Sequence, residues 1–331
     1  MRAAIITQPG PPDVLRIREV ERPVPQEGEV LVRVHASALN RADLLQRVGR
    51  YPPPAGAPKD IPGIEFAGEV VATGDGATRW RPGDRVFGLV GGGAHADFLV
   101  AHEKTIAGIP DAVDWSDAAA VPEAFITAHD ALVTQARVRP GERVLIHAVG
   151  SGVGLAAVQV ARAWGAIPFG TSRTADKLEK AREFGMEAGL AVPSSPDAVV
   201  HATGEWSGGR GMDVILDLVG GAYVAVNVEA AAARGRIMLI GAVAGSQATI
   251  DVRRVLSKRL TLQGTVLRSR GLEERIAVAE AFGSDVVPRL ADGTLRPVID
   301  SVYPLSQIAA AHAHMESNAT TGKIVIDMTT T

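Results

Sequence analysis

With 331 residues, 46% of them hydrophobic and 36 of them glycine, the chain has material for two hydrophobic interiors and the turn content of an α/β protein. A formal net charge of −3 without any lysine-rich block provides no field for a nucleic-acid backbone, so no nucleic-acid partner is expected. Cysteine is absent, which excludes disulfides, thiolate catalysis and every thiolate-bound metal site; no metal is expected.

The first seven residues run directly into Pro9-Gly10-Pro11-Pro12, without the apolar run of a signal peptide. No later stretch reaches the ~20 unbroken apolar residues of a membrane span. The expectation is a cytoplasmic protein with no membrane partner.

In chain order, short β-branched segments separated by Pro/Gly turns predict strands at Ala3–Ile6, Val30–Ser37, Gly63–Thr73, Arg85–Gly88 and His95–Val100. Glu29 to Ala36 alternates polar and apolar residues, as a half-buried antiparallel strand does, and His35 and His95 are expected to serve such strands structurally. Asp43 is expected to cap a helix beginning near Leu44.

From about Asp117 the pattern changes to alanine-rich helices alternating with apolar strands. Strands are predicted at Arg143–His147, Ile167–Thr171, Gly189–Ala191, Asp213–Leu218, Arg236–Ile240 and Leu260–Gly264, which makes a doubly wound six-stranded parallel Rossmann sheet. After Gly264 the chain holds an amphipathic segment at Leu272–Phe282, then Val298–Val302, Leu305–Glu316 and a terminal strand Gly322–Met328. This tail has no further βα unit and is expected to return to the first, β-rich domain.

The chemistry-bearing signal is the strand Arg143–His147 followed by Gly150-Ser151-Gly152-Val153-Gly154 and the helical run from Leu155 to Trp164. Glycines there permit a tight turn, close approach of a pyrophosphate and tight helix packing, while the helix end presents free N–H groups to anionic oxygen. Ser151 stands where many dinucleotide folds carry glycine, so the spacing is not the literal G-x-G-x-x-G. At the end of the second strand no acid is available for ribose hydroxyls; Ser172, Arg173 and Lys177 instead suit a 2'-phosphate, which predicts NADPH. The alternative for Arg173 and Lys177 is a pair of solvated charges in a first helical turn. His147 is expected to be a packed or hydrogen-bonded core histidine.

The segments Ser37-Ala38-Leu39-Asn40-Arg41-Ala42-Asp43-Leu44, Pro62-Gly63-Ile64-Glu65, Leu145 to Gly154 and Gly322-Lys323-Ile324-Val325 together resemble the zinc-free medium-chain dehydrogenases/reductases of the zeta-crystallin-like quinone oxidoreductase family. Asn40 to Leu44, Tyr51-Pro52-Pro53-Pro54 and Leu267-Arg268-Ser269-Arg270 are most similar to the tumour-suppressor-inducible subgroup. The resemblance implies a discontinuous GroES-like catalytic domain (1–121 and 269–331), a Rossmann domain (122–268) and an active cleft where they meet. It also implies roles for single residues: Asn40 and Thr127 at the nicotinamide end, Gly152 and Val153 at the pyrophosphate, Ser172 and Lys177 at the adenosine phosphate, and Gly241, Leu267 and Lys323 as later contacts. Ile64 replaces the histidine of the Gly-His-Glu motif of zinc alcohol dehydrogenases, and Ala191-Val192-Pro193 replaces a tyrosine that relatives often place near the adenosine phosphate.

The expected reaction is hydride transfer from NADPH to a quinone, which needs positioning more than acid–base groups. Asn40 and Tyr51 are the candidate catalytic residues. Tyr51 either donates a hydrogen bond to a quinone or enone oxygen or acts as an aromatic anchor bracing Pro52 to Pro54. The alternatives are an enoyl or 2-alkenal reductase on the same fold, and an NADPH-binding sensor or structural protein without turnover. A homodimer is expected by resemblance.

Overall fold

The structure is a computed structural model that describes residues 1–192 and 197–330. The chain divides into two compact units, Met1–Ile126 with Leu267–Thr331, and Thr127–Val266.

The first unit begins with the hairpin β1 (Arg2–Ile6) and β2 (Leu15–Glu19). The chain continues through β3 (Glu29–Ala38), α1 (Arg41–Arg47), β4 (Glu65–Thr73), β5 (Arg85–Leu89), β6 (Phe98–His102), β7 (Ile106–Gly108), α2 (Trp115–Ala119) and α3 (Pro122–His129). Strand β3 pairs antiparallel with β4 and with β6. That central position changes its character. Where alternation predicted a half-buried strand, only Arg33 of its ten residues is exposed. His95 lies just before β6 rather than on a strand, its carbonyl accepting from the Ala4 N–H at 2.9 Å.

The second unit carries β8 (Arg143–Ile146), α4 (Gly152–Ala163), β9 (Ile167–Ser172), α5 (Ala175–Glu183), β10 (Ala188–Ala191), α6 (Ala198–Ser207), β11 (Met212–Asp217), α7 (Tyr223–Ala230), β12 (Ala231–Leu239), α8 (Val252–Lys258) and β13 (Thr261–Gly264). Its sheet has six strands in the order β10-β9-β8-β11-β12-β13, with every neighbouring pair parallel. The chain steps outward from β8 to β9 and β10, then returns to place β11 on the other side of β8. The carboxyl ends of β8 and β11 therefore flank a topological switch point, where open α/β sheets bind their ligands. Leu145, Phe169, Ile215 and Ile237 are buried in its core.

The returning segment adds α9 (Leu272–Asp285), α10 (Val287–Ala291), β14 (Ile299–Pro304), α11 (Ile308–Ser317) and β15 (Lys323–Asp327). Strand β15 pairs antiparallel with β3 and parallel with β14, so the last strand of the chain completes the sheet of the first unit. Val30, Val32, Phe66, Val86, Ile324 and Ile326 are buried together there.

Candidate dinucleotide cradle and candidate active-site residues

In the second unit the turn after β8 is built by close contacts. Ala148 takes a left-handed φ of 52°, and the Ser151 N–H closes the turn on the Ala148 carbonyl at 2.9 Å. Ser151 is the N-cap of α4, its hydroxyl accepting from the Gly154 N–H at 3.1 Å. The serine at a usual glycine position thus has a local task. The Leu155 N–H is already bonded to the Ser151 carbonyl at 2.9 Å, whereas Gly152 and Val153 head the helix, where N–H groups have no intrahelical acceptor. With the positive end of the helix dipole, they make an anion-binding end.

The flanking glycines are required by space. A Cβ on Gly154 would lie 2.6 Å from the carbonyl oxygens of Ala148 and Val149, and one on Gly150 would lie 2.6 Å from Lys177 Cβ and 2.9 Å from its Cγ and Cδ. The stem of Lys177 therefore lies across the glycine turn and is buried rather than solvated. Ser172, ending β9, is also buried, while Arg173 beside it is exposed. Gly241 follows β12 and packs on β11's exit: its Cβ would meet the Leu218 carbonyl oxygen at 2.6 Å. Gly150, Ser151, Gly152, Val153, Gly154, Ser172, Arg173, Lys177 and Gly241 thus all follow the carboxyl ends of parallel strands or pack there. Thr127 is buried in α3. Of the stretch Ala191-Val192-Pro193, Pro193 lies outside the described residues.

Beneath this edge is a buried polar network. His147, fully buried, makes hydrogen bonds through Nδ1 to Thr171 Oγ1 at 2.8 Å and through Nε2 to Asn227 Oδ1 at 2.7 Å. Asn227 Nδ2 donates to Asp217 Oδ2 at 2.7 Å, and Asp217 Oδ1 accepts from the N–H groups of Val219 and Gly220 at 2.7 and 2.9 Å. The network fastens the ends of β8, β9 and β11 to α7. Burial lowers the His147 pKa against the pull of Asp217, which keeps the ring neutral. Tyr223 sets its ring edge on to His147, with centroids 4.8 Å apart.

In the first unit, Asn40 and Lys323 belong to one cluster. Lys323 Nζ donates to Glu65 Oε1 at 2.5 Å, Asn40 Oδ1 at 2.7 Å and the Leu39 carbonyl at 2.8 Å, which engages all three ammonium hydrogens inside this unit. Asn40 Nδ2 donates to Glu65 Oε1 at 2.7 Å and to the Ala38 carbonyl at 3.3 Å, while its Oδ1 accepts from Lys323. Glu65 Oε2 accepts from the Glu123 N–H at 2.7 Å. Burial pushes the Glu65 carboxyl up, opposed by Lys323.

Helix α1 begins three residues earlier than the pattern around Leu44 suggested: Asn40 is the N-cap, and Asp43 in the first turn accepts from the Asn40 N–H at 2.8 Å. Asp43 also accepts from the Gly63 N–H at 2.9 Å, and full burial pushes its carboxyl up to about 6. Burial brings His95, hydrogen-bonded through Nδ1 to Ser37 Oγ at 2.8 Å, down to about 3.

Tyr51 lies in a proline-rich loop, half-buried, with the Arg268 guanidinium 5.0 Å from its ring centroid. Desolvation raises its phenol pKa against the lowering effect of Arg268, so it stays a hydrogen-bond donor around neutral pH. Leu267 is the first residue of the returning segment and is partly buried.

One unit with a parallel sheet and a glycine-turned helix end at its switch point, and a second, β-rich unit completed by the chain's own return, make the architecture of a medium-chain dehydrogenase. Residues 152–283 match the "Zinc-binding dehydrogenase" family and residues 26–111 the "Alcohol dehydrogenase GroES-like domain" family. The chain is 31% identical to human quinone oxidoreductase over 98% of its own length and 97% of that protein. Mycobacterial Rv1454c complexed with NADPH is similar in structure, with a TM-score of 0.87, 29% identity and coverage of 98% and 99% of the two chains. CurK enoyl reductase gives a TM-score of 0.85 at 27% identity, with 98% of each chain covered. The chain belongs to the medium-chain dehydrogenase/reductase family and has quinone oxidoreductases among its relatives; it is an oxidoreductase.

The metal in the first family's name does not fit the donor set here. No cysteine exists, Ile64 stands where the zinc alcohol dehydrogenase motif carries histidine, and Glu65 is bonded to the Lys323 ammonium. Among the described residues no three histidine or carboxylate side chains converge as a metal site.

Proposed function

We propose that the protein is a zinc-independent reductase that passes a hydride from NADPH to a quinone. The observation that carries the cofactor half is the cradle at the ends of β8 and β9: a capped helix end for the pyrophosphate, and Ser172, Arg173 and Lys177 in place of an acid. The NADPH complex of a structural relative supports the same reading.

In this reading the Gly152 and Val153 N–H groups bind the pyrophosphate, and the Ser172 hydroxyl and the two cations bind the 2'-phosphate. Thr127 and Asn40 serve the nicotinamide end, and Gly241, Leu267 and Lys323 make later cofactor contacts. NADPH supplies the hydride when bound, and the reduced quinone oxygen takes its proton from water. Tyr51, held protonated, donates a hydrogen bond to the acceptor oxygen as negative charge grows on it. Assembly as a homodimer belongs to the same proposal. No helix among the described residues is long and apolar enough to cross a membrane.

The similarity to CurK enoyl reductase favours one second reading, hydride addition to an enone. Steady-state NADPH oxidation with 1,4-benzoquinone, 9,10-phenanthrenequinone and a 2-alkenal, with a chelator present, separates the two. Chelator-insensitive turnover driven by the quinones is the expected result. Faster turnover with the alkenal replaces the quinone with an enone, and NADPH binding without turnover removes the enzyme reading altogether.

A further inference from the structure

Arg268, in the segment Leu267-Arg268-Ser269-Arg270, has no part in the function outlined above, yet its side chain reaches three separate segments of the first unit. Its Nε donates to the Gly91 carbonyl at 2.8 Å, and one terminal nitrogen donates to Gln46 Oε1 at 2.6 Å. The other terminal nitrogen lies 3.5 Å from the Tyr51 carbonyl, and the guanidinium carbon sits 5.0 Å from the centroid of the Tyr51 ring. Three separate segments thus converge on one planar cation: helix α1, the proline-rich loop and the loop after β5. A fork of fixed geometry suits such a junction, since its donors diverge without losing alignment.

The contacts close a circuit. Gln46, whose Oε1 accepts from Arg268, donates through Nε2 to the Lys59 carbonyl at 3.3 Å. Arg268 therefore holds the beginning of the loop at Tyr51 directly and its end at Lys59 through Gln46. The middle of the loop is seated on the Gly91 strand exit, where an added Cβ would come within 2.8 Å of Pro54 Cγ and 3.0 Å of Ala57 Cβ. Arg268 binds the carbonyl of that same Gly91. Pro52, Pro53 and Pro54 stiffen the intervening backbone, so fixing the two ends and the seat leaves the Tyr51 ring little freedom.

We propose that Arg268 is a positioning residue that clasps the Tyr51–Lys59 loop and so sets how the protein recognises a planar acceptor. The acceptor half of the proposal rests on the quinone-reductase reading; the clasp does not. Arg268 acts through Tyr51, holding the ring and phenol where a planar, weakly polar acceptor is gripped, and it has no role in cofactor binding. Lysine in its place keeps the charge over the ring but loses the divergent donors to Gly91 and Gln46.

The test combines a spectroscopic and a kinetic measurement on the full-length protein. The chain has three tyrosines, so 3-fluorotyrosine labelling gives three fluorine resonances, assigned by Tyr51→Phe. Arg268→Met is expected to shift and broaden the Tyr51 resonance alone, and to raise KM for 9,10-phenanthrenequinone about tenfold, the loss typical of a charge-assisted hydrogen bond. KM for NADPH and the melting temperature should stay near the wild-type values, and Arg268→Lys should recover part of the loss. In a Tyr51→Ala background the same change should add less than about twofold. If Arg268→Met fails to fold, Gln46→Leu frees the Lys59 end while leaving Arg268 in place, and a quinone KM and Tyr51 resonance identical to wild type then overturn the clasp. So does an unmoved Tyr51 resonance in Arg268→Met. A wild-type protein that reduces no quinone overturns the acceptor half, and the fluorine spectra still decide the clasp.

Discussion

The two units use buried polarity in opposite ways. In the second unit the functional edge is open and backbone-built: glycines, a helix end and a serine cap present N–H groups, with the neutral His147 network beneath holding the strand ends together. In the first unit a closed ionic cluster, Lys323 with Glu65 and Asn40, spends nearly all its hydrogen-bonding capacity on itself. The comparison teaches that an ionisable residue within a family motif is as readily a fastener as a ligand. What decides is whether its donors are already spent.

The largest expected effect is on the fastener. Lys323→Met leaves Glu65 buried without its cation and should cost about 3–5 kcal/mol of stability in urea unfolding. Adding Glu65→Leu should recover most of that loss, since the uncompensated charge is gone. A fully stable Lys323→Met protein would mean that the cluster is not a fastener.

On the open edge, Gly154→Ala forces a Cβ against two carbonyl oxygens and should weaken NADPH binding by about 1–3 kcal/mol, or roughly five- to 150-fold, read by fluorescence titration. Unchanged affinity would remove the close-approach argument for this turn.

A pH-dependent effect of comparable size concerns His95 and Asp43, both buried in the first unit. His95 titrates near 3 in the folded protein against 6.5 unfolded, so its contribution is fully present above pH 6.5 and is lost as pH falls toward 3. Asp43, raised from 3.8 to about 6, acts with the opposite sign: stability falls as pH rises through that window. The two slopes offset one another between about pH 4 and 6. His95→Gln removes one of them, so stability in that window should change by about 1.4 kcal/mol per pH unit relative to wild type, falling as pH rises. Parallel curves for the two proteins would show that His95 does not titrate as its burial dictates.

The second unit was the more legible in sequence because its contacts are local. Strand, glycine turn and helix follow one another within about 20 residues, as the dinucleotide fold requires, and all six predicted strands occur, five with ends shifted by a residue and the fifth in order, β12, beginning five residues earlier at Ala231. In the first unit β2 and β7 went unpredicted: β2 is largely exposed and charged, its apolar/polar alternation confined to Leu15–Arg18, and β7 has only three residues. Helix α1 was placed late because Asn40 and Asp43 share its cap. The cluster at Lys323 joins residues 258 to 284 positions apart, and Arg268 meets Gln46 across 222, separations that no local pattern registers. Asp217, at the head of Asp217-Leu218-Val219-Gly220-Gly221, did leave a trace, since Gly220 and Gly221 both adopt positive φ there.

The central claim is that the edge after β8 and β9 selects a 2'-phosphate. Its most direct test is the ratio of kcat/KM for NADPH to that for NADH with 9,10-phenanthrenequinone held fixed, in wild type and in Arg173→Ala. NADPH should be favoured by about tenfold or more, with the preference falling toward parity in the variant, as expected for loss of a charge-assisted phosphate contact. An enzyme that uses NADH equally well, or whose preference survives Arg173→Ala and Lys177→Met together, would contradict the account.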